Sequence, residues 1–498
     1  MTFLASRRWR LFLVAWIMYS VHFATNVVRE HYPAFSIVEH GTFRVDEYQG
    51  FHSDIFVHKD GHSVIGNQVL VSVLAAVPLL VFDPVLDALE AYSKARLASG
   101  DAPQGDYRTN KPMRVQFFRL VRERGLELRF GAATAVTSVF FMAPITAGFL
   151  VYFYGVLLRR GLSPRDATSV ALLLGFCTPI FFRQASLNHN MFVMYAMFIA
   201  FCLLWDRPAE GPVPLRNRLL AGFFGGITLA TDYVGVIILP LLYFYLLVSR
   251  MRSASLQVAF VESLAMVVGS LPPVGFLLYS QWAMYGNPFL PGQYWMPDQN
   301  EFTQVGAKGI TMPDPEIFVD SLVSSDYGMY SWGPLLLLSL WPARRLADSG
   351  LVVPRFERRW LAVTWLVFLL FTSINQYSRL QFNSGFRYLI PLVPFLMLVV
   401  ADRWLQLGRW VRVAITGATL LHSWVLTVFR EPVLRSWGLF MDEGVRLPWY
   451  RVLSMTASPD SPVLGNWWVP SIVLALAVGV SAALWQYGAR LEMANEQR

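Results

Sequence analysis

The sequence predicts an all-α polytopic membrane protein, and three observations carry that prediction. Of 498 residues, 55% are hydrophobic and only 15% are charged, well below the share usual in soluble domains. Mean hydropathy is +0.43. Apolar runs long enough to cross roughly 30 Å of hydrocarbon recur from one end of the chain to the other. The net charge of +8 fits Lys and Arg massed at the cytoplasmic ends of spans as well as it fits nucleic acid, and no nucleic-acid partner is expected. Cys177 and Cys202 both fall inside apolar runs, which points to free thiols.

About twelve spans are expected, near 10–28, 131–157, 167–183, 188–205, 217–231, 233–249, 257–280, 332–342, 358–374, 387–401, 411–428 and 468–487. Arg7, Arg8 and Arg10 precede the first, and Glu30-His31-Tyr32-Pro33 follows it where a small-residue cleavage site would stand, so it reads as a retained signal-anchor. Ile65–Phe82 is apolar enough to be a thirteenth span. Charge decides against it. With twelve spans, the cytoplasmic segments hold 21 of the 41 Lys and Arg residues, the first external loop 12 and the other external segments 8; a thirteenth span would leave 20 inside and 21 outside, erasing the bias. Lys111, Arg114, Arg119, Arg122, Arg124 and Arg129 then lie outside, in a long loop largely exempt from the rule.

The expected organisation is one membrane domain, 1–498, with both termini cytoplasmic. External segments are 29–130, 281–331, 375–386 and 429–467. In the first, Ile65–Phe82 is expected in the membrane interface, Val85–Leu97 has the spacing of an amphipathic helix, and Gly100–Gly105 is a turn-rich break. The second carries Asp298, Glu301, Asp314, Glu316, Asp320 and Asp326 against Lys308. No internal repeat is visible.

Five short segments give the chain a family resemblance. They are Arg44-Val45-Asp46-Glu47-Tyr48 beyond the first span, Gly61–Gln68 with the apolar run after it, and Gly286-Asn287-Pro288-Phe289 with Gly292-Gln293-Tyr294. Ser324–Tyr330 with Gly333-Pro334, and Gly385–Pro391, complete the set. Together they resemble the GT-C superfamily of integral membrane glycosyltransferases, of the protein O-mannosyltransferase and aminoarabinose transferase kind. The chain departs from the pattern at Asn67-Gln68-Val69-Leu70, where relatives often carry Lys-x-Pro-Gly, and at Tyr327, where they carry arginine.

The resemblance implies a polyprenyl-phosphate-linked sugar donor, an unidentified acceptor, inversion at the anomeric carbon and a site at the external face of the plasma (inner) membrane, among membrane lipids. A carboxylate must take the acceptor's proton. Asp46 is the leading candidate, followed by Glu47 and Asp54, against the plainer reading of solvated loop carboxylates or helix caps. Arg387, Tyr388, His189, Tyr294 and Asn67 are expected to meet the donor or its lipid phosphate; an arginine at a span end also snorkels without any ligand. His189 lies in Asn188-His189-Asn190 between two spans, where turn chemistry explains the asparagines but not the histidine. Asp232 is a second acid at a span edge, where capping is the alternative.

No cofactor is certain. His52, His58 and His62 with Asp54 and Asp60 are the residues a divalent metal would use, although their spacing matches no standard zinc pattern. Phosphate-binding glycine loops, dinucleotide fingerprints and serine-nucleophile elbows are absent from the sequence. A polysaccharide ligase or polymerase using a lipid-linked donor, and a lipid or sugar transporter, remain the alternatives; transporters usually carry internal repeats.

Overall fold

The computed structural model describes residues 3–100, 112–205, 212–297, 305–341, 352–450, 453 and 468–496. Residues 101–105 of the expected turn, Lys111, Asp298 and Glu301 lie outside the described residues. The described chain is predominantly helical, with one antiparallel hairpin of β1 (Ile55–Val57) and β2 (Ser63–Ile65) in which Phe56 faces Val64.

The first half runs α1 (Arg7–Val21), α2 (His31–His40), the hairpin, α3 (Leu70–Ser99), α4 (Pro112–Glu123), α5 (Glu127–Thr137) and α6 (Ala143–Arg159). Then come α7 (Pro164–Phe176), α8 (Ile180–Gln184), α9 (His189–Trp205), α10 (Leu215–Thr231), α11 (Gly235–Met251) and α12 (Leu256–Tyr285). Among the described residues, five helical runs are long and apolar enough to cross a membrane: Leu70–Ser99, Glu127–Arg159, Leu256–Tyr285, Arg409–Phe429 and Val469–Asn495. The second is α5 and α6 joined through a π-turn at Ser138–Met142. Such turns relieve the ladder of a long helix locally.

Local chemistry sets the boundaries. α7 starts where the Ser163 hydroxyl accepts the Asp166 N–H at 3.1 Å, with Pro164 at the first helical position. The expected run 167–183 is broken at Cys177-Thr178-Pro179, because proline cannot continue the ladder, and the chain restarts as α8. The expected span 332–342 is instead the short helix Met329–Trp332 followed by a 3-10 turn, Pro334–Leu340, since Gly333-Pro334 interrupts it. The run 387–401 likewise becomes helical at Ile390, and its α-helix is Val393–Trp404. Ile65–Phe82 and Val85–Leu97, expected as separate pieces, are a strand end and one 30-residue helix that carries Pro78 and Pro84 internally.

Helix packing in the centre depends on small residues. Cβ atoms added at Gly222 of α10 and Gly269 of α12 would each lie 2.0 Å from a backbone oxygen, Met266 O and Leu219 O respectively. Gly226, one turn beyond Gly222, meets Ser270 and Pro273 in the same way. Glycines four apart let two helix backbones touch, which suits lipid surroundings where apolar burial alone cannot drive association.

Charged groups sort to two ends of this bundle. At one end Arg7 and Arg10 of α1 pair with Glu492 of the last helix, so the beginning and the end of the chain meet. There too Arg160 donates to the Val352 carbonyl at 3.0 Å, Arg250 pairs with Glu262 at 2.8 Å, and Arg358 holds Asp402. Opposite lie the α8–α9, α10–α11 and post-α12 turns, the hairpin and the segment Ser384–Tyr388. α3 is tethered to this second end twice. Just before it the Ile65 carbonyl accepts the Tyr285 hydroxyl, and farther along Asp87 and Glu90 pair with Arg129 near the start of α5, at 2.6 and 3.0 Å. Its Leu74, Val77, Leu80, Val81 and Val85 side chains stay exposed.

Candidate functional site

The turn after α1 delivers Arg29 and Glu30, the turn into α9 delivers His189 and the turn into α11 delivers Asp232. Each position has a local reason. The Asn188 side chain accepts the Asn190 N–H at 3.0 Å and so starts α9 beside His189, while Asp232 accepts the Val234 N–H at 3.0 Å and starts α11. Asp54 enters from the loop before β1, fixed by its own carbonyl, which accepts the Gly66 N–H at 2.9 Å.

These residues form one connected cluster. His189 carries a carboxylate on each ring nitrogen: Glu30 on Nδ1, and Asp232 on Nε2 at 2.9 Å. Arg29 reaches Asp54 at 3.0 Å, Glu30 at 3.3 Å and the His189 Nε2 edge at 3.1 Å. Asn190 extends the network, donating to Asp232 at 3.3 Å and accepting from Arg183 at 3.2 Å. The Glu30 side chain is only 6% exposed, whereas Asp54 is 22% exposed and is the most accessible of the three carboxylates.

A group of arginines adjoins the cluster. Arg387 and Arg430 stand close enough to repel the Arg183 guanidinium. Arg183 donates to the Ser384 carbonyl at 2.9 Å, and Arg430 to the Phe182 carbonyl at 3.1 Å and the Ser186 hydroxyl at 3.2 Å. Arg387 lies over the Tyr388 ring at 4.6 Å and donates to its hydroxyl at 3.1 Å. Among the described residues, none of the three is paired with a carboxylate, and the Nε of each is buried without a hydrogen-bond partner. The segment bearing Arg387 is pinned by Gly385, whose φ of +71° and contact with the Trp332 ring leave no room for a side chain.

Electrostatics favour ionised acids here. Burial pushes the Asp54 carboxyl up, but the charges of His52 and Arg29, the Arg29 hydrogen bond and the Arg387 guanidinium together hold it below the usual aspartate range. Glu30 is lowered further: burial opposes ionisation, and His189 and Arg29 overcome it. With four arginines, Arg29, Arg183, Arg387 and Arg430, facing three carboxylates, the arrangement can accept an added anion.

The expected residues divide. Asp54, His189, Arg387 and Tyr388 belong to this neighbourhood. Asp46 and Glu47 lie on the exposed side of the first loop, 47% and 64% exposed. Asp46 takes the Ser63 N–H and the His62 ring, the latter at 3.0 Å, so it ties the hairpin to the preceding turn; burial raises it, and those two donors with the His62 and Arg44 charges hold it below the usual range. Glu47 meets His40 at 3.2 Å. Tyr294 is exposed against Trp295, and Asn67 keeps a buried Nδ2 without a partner.

The proposed metal ligands separate into local pairs. His52 lies 3.9 Å from Asp54, His58 lies 3.4 Å from Asp60, and His62 holds Asp46. Among the described residues, the trio whose ligand atoms come within 4.8 Å of one another is Glu39, His40 and Glu47. It borders a cavity of about 780 Å³ with Asp87, Glu90 and Arg129.

Arg29, Glu30, Arg183 and Arg430 were not among the expected site residues. The readable signal was position: a charged residue directly at the end of an apolar run is costly unless partnered or used. No protein-family profile, curated protein or solved structure matches the chain.

Proposed function

We propose that this chain is a GT-C-type glycosyltransferase that moves a sugar from a polyprenyl-phosphate donor to an acceptor hydroxyl at the external face of the plasma (inner) membrane. The observation that carries the reading is the trio of buried Arg183 with half-buried Arg387 and Arg430, each with a buried Nε lacking a hydrogen-bond partner and none paired with a carboxylate among the described residues, beside the accessible carboxylate of Asp54. A buried cation without an anion is costly, and a phosphate supplies charge and acceptor oxygens together.

In this reading twelve spans place both termini in the cytoplasm. α3 lies in the external interface with its exposed leucines and valines in lipid, a placement supported by its two tethers at one end of the bundle. The lipid chain stays in the bilayer and the sugar phosphate reaches the arginines. The acceptor hydroxyl gives its proton to Asp54, its oxygen bonds to the anomeric carbon from the face opposite the phosphate, and the sugar–phosphate bond breaks with its electron pair on the departing phosphate. General-base assistance of this kind contributes roughly 10²–10⁴-fold. Phosphate bound at Arg387 also weakens that cation's hold on Asp54, which makes the carboxylate a better base.

The test is transfer by purified protein from a panel of polyprenyl-phosphate sugars, with release of polyprenyl phosphate measured. Release that requires Arg387 and Asp54 supports the reading. Absence of release with every donor, combined with movement of lipid-linked sugar across vesicles, overturns it in favour of transport.

A further inference from the structure

Beside the charged cluster, two segments meet backbone to backbone. A Cβ on Gly292 would lie 2.8 Å from the Gly66 carbonyl carbon and 2.6 Å from the Tyr285 hydroxyl, and one on Gly66 would lie 2.2 Å from the Met296 sulfur. Around this junction His58 packs its ring edge-on to Trp295 at 5.3 Å, Lys59 lies over the same indole at 5.0 Å, and Tyr285 faces it at 6.4 Å. The junction is joined to the cluster on both sides. Gly66 N–H bonds the Asp54 carbonyl, and Gly292 N–H donates at 3.2 Å to the hydroxyl of Tyr233, the residue after Asp232.

What distinguishes this junction is its unused hydrogen-bonding capacity. Among the described residues, His58 Nε2, Asn67 Nδ2, Gln68 Nε2, Gln293 Oε1 and Trp295 Nε1 are all buried and without hydrogen-bond partners. Polar atoms buried in this way normally find partners, so several from two touching segments point to a ligand that supplies donors and acceptors together. All but the titratable His58 are uncharged, and Lys59 is engaged on the indole. An anion would seek the arginines instead. Alternating hydroxyls flanking an aromatic face are the chemistry of a neutral carbohydrate.

We propose that the junction of His58–Gln68 with Gly292–Met296 seats a neutral carbohydrate acceptor, so that the enzyme extends a glycan and does not modify a peptide hydroxyl. This rests on the glycosyltransferase reading above. A sugar would take the place of the Lys59 side chain on the Trp295 indole, and Asn67, Gln68 and Gln293 would bond its hydroxyls and present one of them toward Asp54.

The experiment uses full-length protein in detergent with the donor that gives sugar release, and compares neutral oligosaccharides with Ser/Thr peptides as acceptors. We expect oligosaccharides to accept the sugar. Trp295→Ala and Gln293→Ala should raise the oligosaccharide KM at least roughly tenfold while the donor KM changes less than about twofold, and Trp295→Phe should recover part of the loss. Transfer only to peptides, or an acceptor KM unmoved in both variants, overturns the proposal. Should Trp295→Ala fail to fold, Gln293→Ala and Gln68→Ala carry the same measurement. Donor release by the wild-type protein without any acceptor separates the two claims: its presence with no carbohydrate acceptor sinks the seat alone, and its absence with every donor sinks the glycosyltransferase reading.

Discussion

Two acidic regions share one end of this molecule, and they treat charge in opposite ways. Along the first loop, Asp46, Glu47, His40 and His62 lie in solvent and satisfy one another or a hairpin amide. In the interior, Glu30, Asp54, His189 and Asp232 arrive from four separate turns and are bound into a network with Arg29, beside arginines that pair with no carboxylate among the described residues. Solvated charges cost little and accumulate freely. Buried charges are expensive, so a group of them with unfilled capacity marks where a ligand belongs.

The largest effect that would sharpen this contrast is in donor binding. Arg387→Ala should raise the donor KM by tenfold or more, about 1.5–3 kcal/mol for a charge-assisted phosphate contact, with the double variant Arg183→Ala/Arg387→Ala weaker still. Unchanged donor KM in both would remove the phosphate from this site. Next comes the scaffold. Gly222→Val should cost about 1–3 kcal/mol in thermal unfolding in detergent, because the added Cβ meets the Met266 backbone; a stable variant would mean that α10 and α12 do not touch there. On the solvated side, Asp46→Asn should cost less than about 1 kcal/mol, as exposed ion pairs do.

The pH profile gives the smallest but most specific signal. Asp54 is held below its ordinary value of 3.8, so its ionised, proton-accepting form is present above that value and is lost only as pH falls through the lower folded pKa. The acid limb of kcat/KM should therefore lie below 3.8 in the wild-type protein and move upward in Arg387→Ala, which removes a cation that favours the carboxylate. A limb near pH 6 in the wild-type protein would point to a different titrating group.

Much of the helical framework was legible. The expected runs 188–205, 217–231 and 257–280 agree with α9, α10 and α12 to within five residues at every end, because hydropathy and the flanking arginines mark where such helices begin and end. Breaks were harder. Pro179 and Gly333-Pro334 divide apolar runs that hydropathy joins, whereas Pro78 and Pro84 sit inside a continuous helix. The site was legible only in part. His189, Asp54 and Arg387 stood out by residue type, and Asp232 by its position at a span edge. Glu30 read only as the flank of the first span, and Arg29, Arg183 and Arg430 were not singled out. Only the fold brings them within reach of one another, through contacts as distant in sequence as Glu30 with His189. Asp46 drew attention because Arg44-Val45-Asp46-Glu47-Tyr48 resembles a family motif beyond the first span, and the fold leaves it 47% exposed on the first loop.

The central claim is that chemistry occurs in the buried cluster and not on the acidic loop. Turnover of a polyprenyl-phosphate sugar by Asp54→Asn and Asp46→Asn, measured side by side with the wild-type protein, tests it most directly. The account predicts a loss of about 10²-fold or more for Asp54→Asn and less than about threefold for Asp46→Asn. The reverse order, or full activity in Asp54→Asn, would contradict it.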